Sequence, residues 1–219
     1  HTFSFSLSNV FSLINVCKSN ILKNLSQKLW WINLSRGCQW PKTGRYVYVP
    51  VAVSSSYSRA ERNIIIRGLL TFHSRTCIRF VWRRLLWFVQ CWSYIGRTGG
   101  KQKISLMRNG CVYKGIVQHE ILHALGFHHE QARSDRDSYV DILYENIRSG
   151  ATSNFNKRWT NNLGSSYNYR SVMHYGKYAF SKNRKPTIVA KRDPNTVLGS
   201  DQMSANDIDR VNKLYECCE

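Results

Sequence analysis

HEILHALGFHHE, residues 119–130, is the stretch from which the rest of the chain can be read. His119 and His123 stand four apart, so a helix through them projects both imidazoles from one face, about one turn apart. That spacing lets two ring nitrogens reach a single zinc ion at ~2.0–2.1 Å. Glu120, beside His119, reaches the same place as a general base without having to be a ligand. Gly126 can take a left-handed conformation that ends the helix and turns the chain. His129, three residues on, then swings back as the third nitrogen. Three protein nitrogens leave one coordination position open, which marks a catalytic zinc and not a structural one. A bare HExxH is a weak signal. The extended HExxHxxGxxH fixes five positions over eleven residues and is specific. His128 is off the spacing and is expected on the surface, while His73 and His174 are expected to be structural.

Working outward, the motif predicts a helix over about 115–127. Ser58 followed by Glu61 reads as a capping box that opens a helix through about residue 73, with Ile65, Leu69 and Phe72 facing a core. YVYVPVAV, residues 46–53, is rich in β-formers, and Pro50 suggests an edge position. Short strands are expected at 77–81, 91–95 and 103–106. Beyond the motif Gly, Asn, Ser and Tyr become frequent, and irregular structure is expected. A last helix runs from near Ser204 to Tyr215, with Ile208, Val211 and Leu214 on one face. The fold class is therefore α+β, with no internal repeat.

The chain has 219 residues, 42% hydrophobic and 21% charged, enough for a sizeable core in one domain or two packed lobes. It has no apolar run long enough to span a membrane. The net charge is +19, from 32 basic and 13 acidic residues. The basic residues are spread along the chain and match no RNA-binding signature, so nucleic acid is not expected as a partner. An acidic protein substrate or matrix is a better use of the charge, and a merely solvated surface is the plain alternative. Seven cysteines, Cys17, Cys38, Cys77, Cys91, Cys111, Cys217 and Cys218, form no CxxC pair. Their wide spacing fits disulfides in an oxidising, secreted setting, with one thiol left over. Sequons at Asn24 and Asn33 agree with secretion but are short motifs. Residues 1–36 are uncharged at first and rich in Ser, Phe and Asn; they look slightly like a signal-peptide core but lack its basic start and cleavage site. They are left unassigned, and residues 37–219 are read as one peptidase domain. His1 in place of Met makes the chain a processed form or a fragment.

With the motif and Glu130 go Ser171-Val172-Met173-His174-Tyr175-Gly176, SDRDSYVDILYENI (134–147), CWSYIGRTGGKQ (91–102) and GCVYKG (110–115). Together these resemble an astacin-type metzincin over roughly residues 37–217. TFHSRTCIRFV (71–81) and NDIDRVNKLY (206–215) are similar to the fish hatching-enzyme branch. The resemblance implies a two-lobed catalytic domain, with a twisted N-terminal sheet and two helices, then a mostly irregular C-terminal lobe ending in a helix. It implies one zinc ion per chain, held by His119, His123, His129 and, at rest, Tyr175. Glu120 would be the catalytic base, and Tyr175 would swing off to stabilise the transition state. Met173 would form an apolar floor beneath the ligands; by residue type alone Met173 reads as core and Tyr175 as a buried aromatic. Glu130 would bond through water to a freshly cut N-terminus. Cys91 would pair with Cys111, Cys77 with Cys217 and Cys17 with Cys38.

The implied activity is that of a secreted, monomeric zinc endopeptidase acting on extracellular protein, with egg envelope as the specific expectation. Substrate would lie extended between the lobes, pairing with an edge strand near 91–94. One stretch departs from the family: WRRLLWFVQ, residues 82–90, is shorter than usual and lacks the acidic-polar strand and Gly turn. It raises an alternative reading, a zinc-binding but catalytically weak protein, which the intact Glu120 argues against.

Overall fold

The two capping signals of the sequence open the first and last helices. Ser58 accepts the Glu61 N–H at 3.2 Å and donates its own N–H to the Glu61 carboxylate at 2.6 Å, and helix α1 spans Arg59–His73. Ile65, Leu69 and Phe72 are buried on its inner face as expected. The computed structural model describes residues 38–82, 92–99, 102–108 and 110–217. Strands β1 (Lys42–Thr43), β2 (Tyr46–Val51) and β3 (Ile78–Trp82) form a sheet in that order. β1 and β2 run antiparallel; β2 and β3 run parallel, because α1 carries the chain back between them. β1 pairs only with Tyr46 and Val47, so among the described residues β2 is central at its start and an edge at Pro50.

Short strands β4 (Trp92–Ser93) and β5 (Ile104–Ser105) pair antiparallel as a separate ladder. Among the described residues the strands of this lobe thus form two ladders, one of three strands and one of two. Helix α2, Lys114–Ala124, carries the motif and lies against α1. The two helices meet at Gly68, where a Cβ would stand 2.6 Å from Val117 Cγ1. The first core gathers Val47, Leu69, Phe72, Ile78, Val117, Leu122 and Leu125, each at most 5% exposed. Burying side chains of this size contributes roughly 1.5–3 kcal/mol apiece.

The second lobe has a smaller core around Val140, Phe155, Ile188 and Ala190. Its regular structure is slight: strands β6 (Val140–Ile142) and β7 (Ile188–Ala190) pair antiparallel, and four short 3-10 turns complete it. Helix α3, Ala205–Tyr215, follows with its own capping box at Ser204 and Asp207. It closes the second lobe in sequence, yet it packs on the first core. Val211 and Tyr215 belong to that core, while Leu214, expected on the same face, is only partly buried. The Tyr215 hydroxyl donates to the Leu125 carbonyl at 2.9 Å, and Cys217 is disulfide-bonded to Cys77 next to β3. Cys38 and Cys111 are also disulfide-bonded; their expected partners, Cys17 and Cys91, fall outside the described residues, as does Cys218. Among the described residues no helix is long and apolar enough to cross a membrane.

The start of α2 is pinned by contact with the segment ahead of α3. A Cβ on Gly115 would stand 1.9 Å from the Asp201 carbonyl oxygen, a backbone atom that cannot swing away. Gly115→Ala is therefore expected to destabilise the domain by about 1–3 kcal/mol or more, read as a drop in Tm. An unchanged Tm would mean that the two segments are not held together as described.

Candidate metal centre and active site

α2 ends where the site needs it to. The spacing predicts a helix through 127, but the last helical residue is Ala124, with Leu125 as its cap. Gly126 then takes φ +106, a conformation that a side chain makes costly, and the chain turns. The end of the helix is fixed from outside by three donors. Trp40 Nε1 reaches the Ala124 carbonyl at 2.9 Å, the Gly96 N–H reaches the His123 carbonyl at 2.8 Å, and Tyr215 holds Leu125.

This geometry brings His119, His123 and His129 together. Nε2 of His129 lies 3.2 Å from Nε2 of His119 and 3.2 Å from Nε2 of His123. Nδ1 of His119 faces the Val172 carbonyl at 2.8 Å, and Nδ1 of His123 faces the Phe127 carbonyl at 2.8 Å. A carbonyl oxygen only accepts, so each Nδ1 carries the proton and each Nε2 presents a bare lone pair. Burial, with the facing imidazoles adding to it, holds His123 down at about 3 and His129 well below the usual histidine range. Lone pairs facing each other at this distance repel unless a cation sits among them. Three nitrogens bound tetrahedrally at ~2.0–2.1 Å stand ~3.3 Å apart, so the observed spacing fits zinc.

Glu120 is 6% exposed, and its Oε2 has no hydrogen-bond partner. Burial pushes its carboxyl up to about 7; a cation among the imidazoles would draw it back down. A buried carboxylate oxygen without a partner beside an open metal position is placed to accept a proton.

The other residues expected at the site fall around this cluster. Met173 is 3% exposed and belongs to the first core. The ring of Tyr175 lies 4.5 Å from that of His129, centroid to centroid, and packs against Phe155 and Phe180. Burial raises its phenol above the ordinary tyrosine range, so the hydroxyl keeps its proton at neutral pH. Glu130 is 2% exposed and paired with Arg210 through both oxygens, with Arg133 at 3.2 Å and the Asn168 N–H at 2.7 Å. The chain's N-terminal residues, with which Glu130 is expected to interact, lie outside the described ones. His128 is exposed, and His174 is bonded to the Tyr167 hydroxyl at 2.8 Å and to the Tyr175 carbonyl at 2.7 Å, a structural task. His73 Nε2 accepts the Phe80 N–H at 2.8 Å, a structural task.

Three buried residues escape a reading of the sequence. Gln131, fully buried, accepts the Tyr175 N–H at 3.1 Å. Arg210 reaches Glu130, and Asp207 reaches Ser171 and Val172. For the last two, the only signal is polar residues on the inward side of an amphipathic helix.

A mixed α+β fold with three convergent imidazoles and a buried carboxylate beside them defines a zinc peptidase of the metzincin kind. The family model described as Astacin, a peptidase family, matches residues 33–216. High choriolytic enzyme 2 of Oryzias latipes is 46% identical over 202 residues, covering 88% of this chain and 71% of that protein. Low choriolytic enzyme of the same fish is 46% identical over 189 residues, covering 82% of this chain and 70% of that one. The structure of high choriolytic enzyme 1, described as a hatching enzyme zinc-protease from Oryzias latipes, superposes with a TM-score of 0.78 at 44% identity. That match covers 90% of this chain and all of the other, 100%. The chain belongs to the astacin family of zinc metalloendopeptidases.

The ligand geometry depends on the turn at Gly126. Gly126→Ala forces a side chain into φ +106, a strain of about 1–3 kcal/mol, and is expected to weaken zinc retention while the domain stays folded. His123→Ala is expected to abolish retention. Metal analysis after dialysis checks both, and full occupancy in His123→Ala would contradict the ligand assignment.

Proposed function

We propose that this chain is a secreted endopeptidase that cleaves extracellular protein of the egg-envelope type, with one zinc ion held by His119, His123 and His129. The observation that carries the reading is the convergence of the Nε2 atoms of His119, His123 and His129 on the turn of chain that also carries Glu120, whose buried Oε2 has no partner. Zinc, when bound, polarises the scissile carbonyl and lowers the pKa of water towards ~7.

The chain's own groups supply the rest. Glu120 takes the proton of the attacking water at its free oxygen and returns it to the leaving amine. Tyr175, protonated and set against His129 by Gln131, donates to the oxygen on which charge develops. By resemblance it also ligates the metal at rest. An extended substrate lies along β4, whose only strand partner among the described residues is β5.

The substrate class rests on similarity and charge. The choriolytic enzymes of Oryzias latipes carry the envelope activity in their names. No acidic residue occurs before Glu61, between Glu61 and Glu120, or between Glu145 and Asp193, so the basic excess is spread over both lobes. Such a surface favours acidic protein over neutral peptide at low ionic strength. Zinc-dependent binding with weak catalysis remains the competing reading. Of the residues that prompt it, 82–90, all but Trp82 lie outside the described ones.

The test is cleavage of casein and of isolated egg envelope by the full, oxidatively folded chain beside its Glu120→Gln variant. Chelator-sensitive, zinc-restored activity absent from the variant supports the peptidase. A folded, zinc-loaded chain without activity would favour the weak-catalyst reading. Cleaved casein with intact envelope would leave the peptidase and remove the envelope assignment. Tyr175→Phe is expected to retain zinc but lower kcat by ~10²–10³; unchanged kinetics would remove its hydroxyl from the mechanism.

A further inference from the structure

Asp207, on the first turn of α3, is 3% exposed, and its carboxylate serves two parts of the molecule. On the helix side Oδ2 accepts the Ser204 N–H at 2.8 Å and the Ser204 hydroxyl at 2.9 Å. This is the helix cap. On the other side Oδ1 accepts the Ser171 hydroxyl at 2.5 Å, and Oδ2 also accepts the Val172 N–H at 3.3 Å. The cap makes no use of Oδ1.

Ser171 and Val172 begin the turn that runs beneath the histidines. Ser171 is fully buried, and its hydroxyl oxygen accepts the Met173 N–H at 3.0 Å. The carbonyl of Val172 is the group that receives Nδ1–H of His119 at 2.8 Å. Within the turn the backbone bonds are few, Ser171 N–H to Asn168 and His174 N–H to Ser171, each at 3.1 Å. Its position against α2 therefore depends on bonds from other elements, and Asp207 supplies two of them. A continuous path runs from the Asp207 carboxylate through Ser171–Val172 to the imidazole of His119.

We propose that Asp207 is a positioning residue for the metal site, fixing the Ser171–Val172 turn so that the Val172 carbonyl sets the tautomer and ring orientation of His119. This rests on the reading of the three histidines as the zinc ligands. A metal-bound histidine needs its distal N–H held, and loss of such support typically weakens metal binding ~10–100-fold. Here the holding group is a backbone carbonyl, so the side chain that governs it is the one that governs the turn. Asp207 does so from 88 residues further along the chain than His119 (207 − 119).

The experiment measures zinc affinity of the full, oxidatively folded chain by competition with a chromophoric chelator. It adds the visible spectrum of the cobalt(II)-substituted protein and the Tm. Four variants are compared: Ser171→Ala, Asp207→Asn, the double variant, and Ile208→Val, which loosens the packing of α3 without touching a polar bond. Ser171→Ala and Asp207→Asn are each expected to weaken zinc ~10-fold or more and to shift the cobalt spectrum. The double variant is expected to lose less than the sum of the two single losses, because both changes break the bond between Ser171 and Asp207. Ile208→Val is expected to lower Tm and leave zinc affinity alone. Ser171→Ala keeps the helix cap, so it decides the matter should Asp207→Asn fail to fold. Wild-type protein that retains no zinc would overturn the site itself. Wild-type protein that retains zinc, with Ser171→Ala equally tight and spectrally identical, would leave the site standing and overturn the role of Asp207. Additive losses in the double variant, or an equal loss in Ile208→Val, would do the same.

Discussion

Nε2 of His129 faces Nε2 of His119 and Nε2 of His123, each across 3.2 Å, and the carbonyls behind the latter two leave them without a proton there. Neutral imidazole has one donor and one acceptor nitrogen, and which is which depends on what the distal nitrogen meets. In this fold the Val172 and Phe127 carbonyls meet Nδ1 of His119 and His123. The arrangement is unfavourable as a hydrogen-bond network and favourable as a cation site. Burial deepens the contrast, since it disfavours the protonated form that would relieve the repulsion. The fold must therefore hold a locally strained set of groups in place, which requires rigid support on every side of the cluster.

That support explains the division of labour between the lobes. The first lobe, with α1 packed on β3 and α2 packed on α1 and on the β4–β5 ladder, fixes two ligands on one helix, where i and i+4 geometry is automatic. The second lobe has little regular structure and is held by its small core and by ion pairs between side chains. Glu130 and Arg210, both buried, tie the segment after His129 to α3. Buried charge pairs of this kind are seldom net sources of stability, but breaking one side leaves an uncompensated charge and is costly. They suit a place where one arrangement must be kept in preference to near alternatives.

The sequence is most legible where structure is local. Ser58 with Glu61, the apolar spacing of Ile65, Leu69 and Phe72, and the histidine spacing all act within a few residues, and all appear in the fold. Gly126 is legible as the stop of α2, but the last helical residue, Ala124, falls two residues before it, because donors from Trp40, Gly96 and Tyr215 take the final carbonyls from outside. The strands read too long for a related reason. β-formers at 91–95 and 103–106 favour extended chain, but ladder length depends on a partner, and β4 and β5 pair over two residues each. Asp207, Arg210 and Gln131 are invisible as site residues because their partners lie far off in sequence. Asp207 in particular reads as an ordinary helix cap, and only the fold reveals what its second oxygen holds.

The return of α3 to the first core has a temporal side. The ligand helix can form from its own neighbourhood, but its surroundings cannot. Arg210 meets a residue 80 positions earlier and Tyr215 one 90 positions earlier, while Cys217 closes a span of 140. During synthesis the three histidines and Glu120 thus leave the ribosome well before the residues that align them. The groups that align the site are thus made 80 to 90 residues after the groups they align.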